Sequence, residues 1–276
     1  MKRIVSPALA VLLALALVPA PAFVPPAEAA NESFDCLMEP HVVVSVGAAV
    51  EGLLEAVNVD RGDLVAKGEV IATLESSAER AAVALAAARA QIESATKSSQ
   101  ARFDFGVRRW VRTDELFKQN LIPLRELDEA ETQKVLAEIG VLEAKENRTL
   151  AHLELERAKA ALALKTIRSP FDGVVVERLL SPGELVEQAP ILKIAQIDPL
   201  RVEVILPVSM LGKVTLGTQA QVMPDAPVTK EPLAARVKIV DRVADAASGT
   251  FGVRLEVPNP SYRLPAGLRC TVRFLD

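Results

Sequence analysis

Aromatic residues make up only 4% of this 276-residue chain, and it holds just two histidines and two cysteines. Each scarcity excludes something. There is no basic run and no basic stripe with interleaved aromatics, so the sequence carries no nucleic-acid footprint. The net charge of −4 is spread over both signs. His41 and His152 have no cysteine or carboxylate beside them at metal-ligand spacing. A Gly-rich phosphate loop and a nucleophile elbow are both missing. The sequence therefore nominates no catalytic, cofactor-binding or metal-binding residue, and the chain is not read as an enzyme. Met38, Met210 and Met223 are scattered and read as packing residues. Beyond the N-terminus no segment is apolar enough to cross a bilayer.

What is present is apolar and small. Half the residues are hydrophobic, supplied by Ala, Val and Leu, which suits long helices and small barrels. The length allows two or three modules. Lys2 and Arg3 precede an apolar run, Ala8 to Val18, which Pro19 ends and which is too short to span a membrane. Ala27-Glu28-Ala29 follows as a cleavage pattern, with Ala20-Pro21-Ala22 as an alternative. Residues 1–29 read as a secretory signal peptide. Asp35 before Cys36 spoils a lipidation site, so the exported chain is expected to be soluble or peripheral. Two cysteines in an exported chain, Cys36 and Cys270, are a disulfide candidate; two unpaired buried thiols are the alternative.

The chain repeats itself at an offset of 121. Gly52 matches Gly173, Gly62-Asp63-Leu64-Val65 matches Gly183-Glu184-Leu185-Val186, and Val70-Ile71 matches Ile191-Leu192. Each copy alternates in short strands, with turns at Arg61-Gly62, Gly68 and Pro182-Gly183. The Arg61-Gly62-Asp63 string is read as turn chemistry. Neither copy can bury a core alone, so two four-strand halves are expected to pack as a small β-sandwich.

Between the copies lies an Ala- and charge-rich stretch, residues 76–166. Its ends must return to one place, which a helical hairpin achieves. Val135, Ile139, Leu142, Leu150, Leu153, Ala160 and Leu164 recur at three- and four-residue spacing as a coiled-coil seam. Ala81, Ala84, Leu85 and Ala88 are expected to let the first arm approach closely. Ser76-Ser77 with Glu79 offers an N-cap. Asn120 tolerates left-handed geometry and Pro123 can open a helix, which places the tip at 119–123. Each arm is then ~43 residues, or ~65 Å. After residue 197, short Val-rich strands divided by Pro, Gly and Asn-Pro turns read as a small antiparallel barrel. The fold class is α+β, multi-domain and elongated.

This order of parts resembles the periplasmic adaptor, or membrane fusion, proteins of tripartite efflux pumps, the HlyD-like family. Three stretches carry the resemblance: GLLEAVNVDRGDLVAKGEVIATLE with SPFDGVVVERLLSPGELVEQAPILKIAQ as a split lipoyl-like domain, the hairpin between them, and DRVADAASGTFGVRLEVPNPSYRLPAGLRCTVRF as the final barrel strands. It covers about residues 42–276. It implies an N-terminal segment and strand at 30–46, lipoyl-like halves at 47–75 and 167–196 with turn glycines Gly52, Gly62, Gly68, Gly173 and Gly183, the hairpin at 76–166 and the barrel at 197–276.

The resemblance also implies partners: an inner-membrane transporter, of the resistance–nodulation–division (RND) class rather than an ABC exporter; an outer-membrane channel; and other copies in a ring of three or six. It implies a periplasmic location. Family members touch the channel with an Arg, a Leu four residues on and a Ser seven further. Arg112 and Leu116 match, while Pro123 replaces the Ser; Asn120 and Leu121 complete the tip. A further membrane-proximal domain is expected to be absent or vestigial, since the chain stops at Asp276. The alternatives are an adaptor for an ABC exporter or type I secretion system and, from another class, a lipoyl or biotinyl carrier subunit. The carrier is disfavoured because Glu75-Ser76-Ser77-Ala78 and Gln196-Ile197-Asp198 offer no modifiable Lys.

Overall fold

The computed structural model describes residues 32–225, 227, 229 and 231–275. The signal-peptide assignment at 1–29 lies outside them. Two long strands organise the β structure: β1 (Ser33–Val46) and β8 (Leu192–Pro207), antiparallel over most of their lengths. Between them in sequence come β2 (Gly52–Val57), β3 (Leu64–Val65), β4 (Val70–Leu74), β5 (Thr166–Arg168), β6 (Gly173–Arg178) and β7 (Leu185–Val186). After them come β9 (Gln219–Pro224), β10 (Leu233–Val240), β11 (Thr250–Val257) and β12 (Leu268–Phe274).

The N-terminal part of β1 and the C-terminal part of β8 join β9 to β12 in a closed barrel, with the cyclic order β1-β12-β9-β10-β11-β8. Closure removes every free edge. The other ends of β1 and β8 continue into a sandwich. One layer is β1-β8-β6-β3 and the other is β5-β4-β2-β7. Neither long strand belongs to one module, and the 196/197 boundary drawn from the sequence falls inside β8. A register shift between Pro40 and Val42 marks the crossing from barrel to sandwich. There the Asn259 side chain, almost fully buried, donates to the Ile197 and Leu264 carbonyls at 3.0 and 2.9 Å and accepts from the Leu264 N–H.

The two repeats pack together as a small β-sandwich, as the sequence led us to expect, and they do so by interleaving. Each gives strands to both layers. Gly52–Val57 and Gly173–Arg178 keep the 121-residue offset, as do Leu64–Val65 and Leu185–Val186. Interleaving buries the equivalent Val65 and Val186, and Ile71 and Leu192, in one core with Leu54, Val175 and Ile194. Separate halves would each have left an apolar face exposed.

The turns share one chemistry. At Asp60–Asp63, Ala66–Glu69, Ser181–Glu184 and Thr215–Thr218, the third residue is a glycine with φ between +84° and +95°. The fourth residue's N–H bonds the first carbonyl at 3.0–3.2 Å. Its side chain in turn accepts the first residue's N–H, for example at 2.7 Å from Asp60 to Asp63 Oδ2. Left-handed φ at the third position defines a type II turn and calls for glycine. Gly173 has a different role: a Cβ there would fall on the Ala195 carbonyl oxygen, so its absence allows β6 to lie close on β8.

Cys36 and Cys270 are register partners where β1 meets β12. Their Cα atoms are 4.8 Å apart and the sulfurs are bonded. The bridge thus sits where the first and last strands close the barrel.

Candidate functional site

The insertion between β4 and β5 is a helical rod pinned at its base. The Leu74 N–H bonds the Lys165 carbonyl at 2.8 Å, which ties its two ends together. Lys165 also pairs with Glu79 at 3.2 Å and donates to the Glu51 carbonyl. The outgoing arm is not one helix as expected. It is α1 (Ser77–Ala90) and α2 (Ser94–Lys118), and α3 (Leu124–Ala163) returns. At 40 residues, α3 is ~60 Å long. The expected Ser76–Ser77 cap is also different. Ser76 occupies the N-cap without a side-chain cap bond, and the Glu75 carboxylate takes the Ser77 N–H at 2.8 Å. These N–H and hydroxyl bonds from Ser77 hold the Glu75 carboxyl below its ordinary pKa.

The seam between the arms is not the one read from the large aliphatics. Val135, Ile139, Leu142, Leu150, Leu153, Ala160 and Leu164 are exposed, as are Ala81, Ala84, Leu85 and Ala88. The covered positions on α3 are Leu127, Ala130, Lys134, Ala137, Val141 and Ala144, then Ala151, Leu155, Ala158 and Leu162. They alternate by three and four residues, as a coiled coil requires. Facing them are Val83, Ala86 and Ala90 of α1, and Thr96, Ser99, Phe103, Gly106, Trp110, Thr113 and Phe117 of α2. Small residues on both sides win because they let the backbones approach. A Cβ on Gly106 would lie 3.3 Å from Lys134 Cα. Beside that crossing, Lys134 Nζ sits 4.0 Å above the Trp110 ring and Arg109 donates to Gln133 at 2.6 Å. The larger aliphatics are left as a second stripe along the outside.

At the tip, α2 ends in a Schellman motif. Asn120 takes φ +60°, its N–H bonds the Phe117 carbonyl at 2.8 Å, and the Leu121 N–H bonds Leu116 at 3.0 Å. Pro123 fills the N-cap position of α3 in extended geometry. Arg112, Leu116, Asn120, Leu121 and Pro123 are all exposed. Arg112 and Leu116 share a face of α2 outside the covered seam, so neither is needed to hold the arms together. Leu124, exposed one position after Pro123, joins Leu116 and Leu121 as a tip apolar residue that sequence reading missed. Asp114 bonds Lys118 at 2.6 Å, which raises the lysine's pKa and fixes the last turn of α2. The lipoyl-turn glycines lie in the sandwich away from the tip. His41 approaches Glu256 at 3.9 Å on the barrel, and His152 is exposed on α3. Among the described residues no group of His, Cys, Asp or Glu is arranged to hold a metal, and no helix is long and apolar enough to cross a membrane.

An interleaved lipoyl-type sandwich, interrupted by a helical rod and continued by a closed barrel, defines an adaptor of the membrane fusion class. Residues 42–196 match the family model described as the CzcB-like barrel-sandwich hybrid domain, and residues 200–276 match that of the CusB-like β-barrel domain. The chain belongs to this family of periplasmic adaptor proteins. It is 26% identical over 84% of its length to the nickel and cobalt resistance protein CnrB of Cupriavidus metallidurans, covering 54% of that protein. It is 25% identical, also over 84%, to the multidrug resistance protein MdtE of Escherichia coli, covering 60% of it. It superposes on MacA from Actinobacillus actinomycetemcomitans with a TM-score of 0.72 at 22% identity, covering 88% of this chain and 78% of that one. The chain spans about half the length of the curated relatives it matches.

Proposed function

We propose that the protein is a non-catalytic adaptor subunit of a tripartite efflux pump in the periplasm, delivered there by the signal peptide at 1–29. The rod, residues 76–166, reaches an outer-membrane channel through Arg112, Leu116, Asn120, Leu121 and Pro123. The sandwich, 47–75 and 167–196, packs with other copies into a ring of three or six, and the barrel, 197–276, meets the inner-membrane transporter. The observation that carries this reading is the rod itself. It is far longer than its small seam needs, its tip is apolar and exposed, and its outer stripe of Val135, Ile139, Leu142, Leu150 and Leu153 is left for a neighbouring rod. An RND transporter is favoured over an ABC exporter because the barrel matches the CusB-like model, named for RND proteins. The names of the relatives point to both metal and drug export, so no cargo is assigned.

The test is a photo-crosslinking side chain at position 116, activated in the host's intact envelope. The reading expects capture of an outer-membrane channel protein. Capture of an inner-membrane or cytoplasmic protein alone, or of nothing, would overturn it.

A further inference from the structure

The rod is electrically lopsided across its width. α2 carries six basic and three acidic side chains, a net +3. Residues 124–146 of α3, which run beside it, carry three basic and seven acidic, a net −4. Asp114 pairs with Lys118 inside α2 and Arg125 with Glu129 inside α3, so these contacts leave the imbalance between the arms intact. Two α3 arms laid back to back would repel each other, whereas α2 of one rod and α3 of another attract.

Contacts within the rod fix the height of each residue. In an antiparallel helix pair, residues at one height have numbers with a constant sum, because both arms rise equally per residue. Gly106 against Lys134 sets that sum at 240, and Glu93 with Arg148, nearer the base, gives 241. In a ring whose rods run along its axis, rotation leaves every residue at its own height. The same sum therefore decides which residues of neighbouring copies are opposed. With both arms in the ring's wall, α2 of one copy meets α3 of the next through the sides turned away from the seam.

Across that junction the side chains match. Phe105 falls opposite Val135 and Ala101 opposite Ile139; Phe105 is 54% exposed, Val135 43% and Ile139 46%. Toward the tip, Arg112 falls opposite Asp128 and Glu115 opposite Arg125; toward the base, Lys97 falls opposite Glu143. All six of these charged residues are exposed. Each opposed charge pair is of opposite sign, and the apolar pairs lie between them. Lys97 and Arg125 have further partners in their own chain, Glu93 and Glu129, also at the surface.

We infer that in the ring of the adaptor reading, on which this inference rests, neighbouring rods dock parallel and side by side, the cationic α2 of one copy on the acidic α3 of the next. Phe105 seats against Val135 and Ile139, between the charge pairs Glu115–Arg125 and Lys97–Glu143. Apolar burial holds the contact, and the charges set its direction and register. The contact is heterologous: each copy offers α2 to one neighbour and α3 to the other, which closes a ring rather than a dimer.

The chain's own cysteines are bonded to each other, so introduced cysteines supply the reactive thiols. The full chain carrying Phe105→Cys with Val135→Cys is oxidised with copper phenanthroline in the host's intact envelope and read on non-reducing gels. A ladder of multimers is expected. Neither single variant should give one, and co-expression of the two single variants should stop at the dimer. Against the double-cysteine background, Glu115→Arg alone or Arg125→Glu alone should cut the ladder about threefold or more, and both in one chain should restore it. Arg112 is left unchanged because the tip reading uses it. Circular dichroism checks rod helicity. No multimers from the double-cysteine chain, multimers from Phe105→Cys alone, or a double reversal that fails to restore the ladder would each overturn the docking. If the crosslink from position 116 to an outer-membrane channel persists while the ladder fails, this docking alone falls; loss of both removes the adaptor reading as well.

Discussion

The Arg148 guanidinium of α3 lies 3.2 Å from the Glu93 carboxylate, in the three-residue break between α1 and α2. Arg148 occupies a seam position, seven residues after Val141 and three before Ala151. A continued heptad would pass from Ala90 to Lys97, but the next covered position is Thr96, one residue early. The chain absorbs this slip at residues 91–93. Glu93 also bonds Lys97 at 3.0 Å, and this bond and the cations of Lys97 and Arg148 hold its carboxyl below the usual 4.5. The break is thus bridged by charge where the apolar seam lapses.

Replacing Arg148 with Leu should restore an apolar seam position and raise the melting midpoint by roughly 2–4 °C. The sign of the pH effect follows from the depressed Glu93 pKa. The pair's stabilisation is present in full above about pH 4.5 and is lost as pH falls through the lower folded value. Circular dichroism melts at pH 7 and pH 3 should therefore show the Arg148→Leu rod losing less than wild type on acidification. An equal loss in both would argue that the pair does not bridge the break.

The two helix glycines should behave oppositely. Gly106 faces the Lys134 backbone, so Gly106→Ala overpacks this crossing and should cost about 1–3 kcal/mol. At Gly140 an added methyl would meet nothing within 4 Å, so Gly140→Ala should stabilise by about 0.5–1 kcal/mol through helix propensity. Denaturant midpoints of the two variants should move in opposite directions. A common direction would contradict the seam described above.

The tip should tolerate charge without unfolding. Leu116 lies off the seam and is 42% exposed. Leu116→Asp is therefore expected to leave rod helicity unchanged while abolishing crosslinking to the outer channel from a photo-crosslinking side chain placed at position 121, which is also exposed at the tip. Pro123→Ser restores the hydroxyl found in the family and should strengthen the same crosslink. A Leu116→Asp protein that still crosslinks at full yield removes Leu116 from the contact.

For the cysteines, titration of the denatured, unreduced protein should find no free thiol. A bridge spanning 234 residues is worth about 5 kcal/mol in the loop-entropy model, which takes the reduced unfolded chain as unconstrained. Reduction, or Cys36→Ala with Cys270→Ala, should lower the barrel's denaturant midpoint without altering rod helicity. Two titratable thiols per chain would sink the pairing.

Much of this architecture was legible in the sequence, because it rests on local rules. Left-handed turn positions require glycine, so Gly62 and Gly183 marked equivalent corners at the fixed offset of 121. Alternation marked the strands, and Asn120 with Pro123 marked the reversal of the rod. The tip residues could be named, but only through a family resemblance. No local rule says that Arg112 and Leu116 should face outward.

Tertiary structure decided whatever depends on a distant partner. The sequence contained two stripes of three- and four-residue spacing on α3, and hydrophobicity favoured Val135, Ile139 and Leu142. The structure buries Ala130 and Val141 and half-buries Ala137 instead, because Gly106 on the facing arm permits close backbone approach. The break at 91–93 exists because two seams out of phase by one residue must meet the same continuous helix. The interleaving of the repeats likewise follows from burying two apolar faces at once. The meeting of Cys36 and Cys270 follows from barrel closure, which brings the first and last strands together across the whole chain.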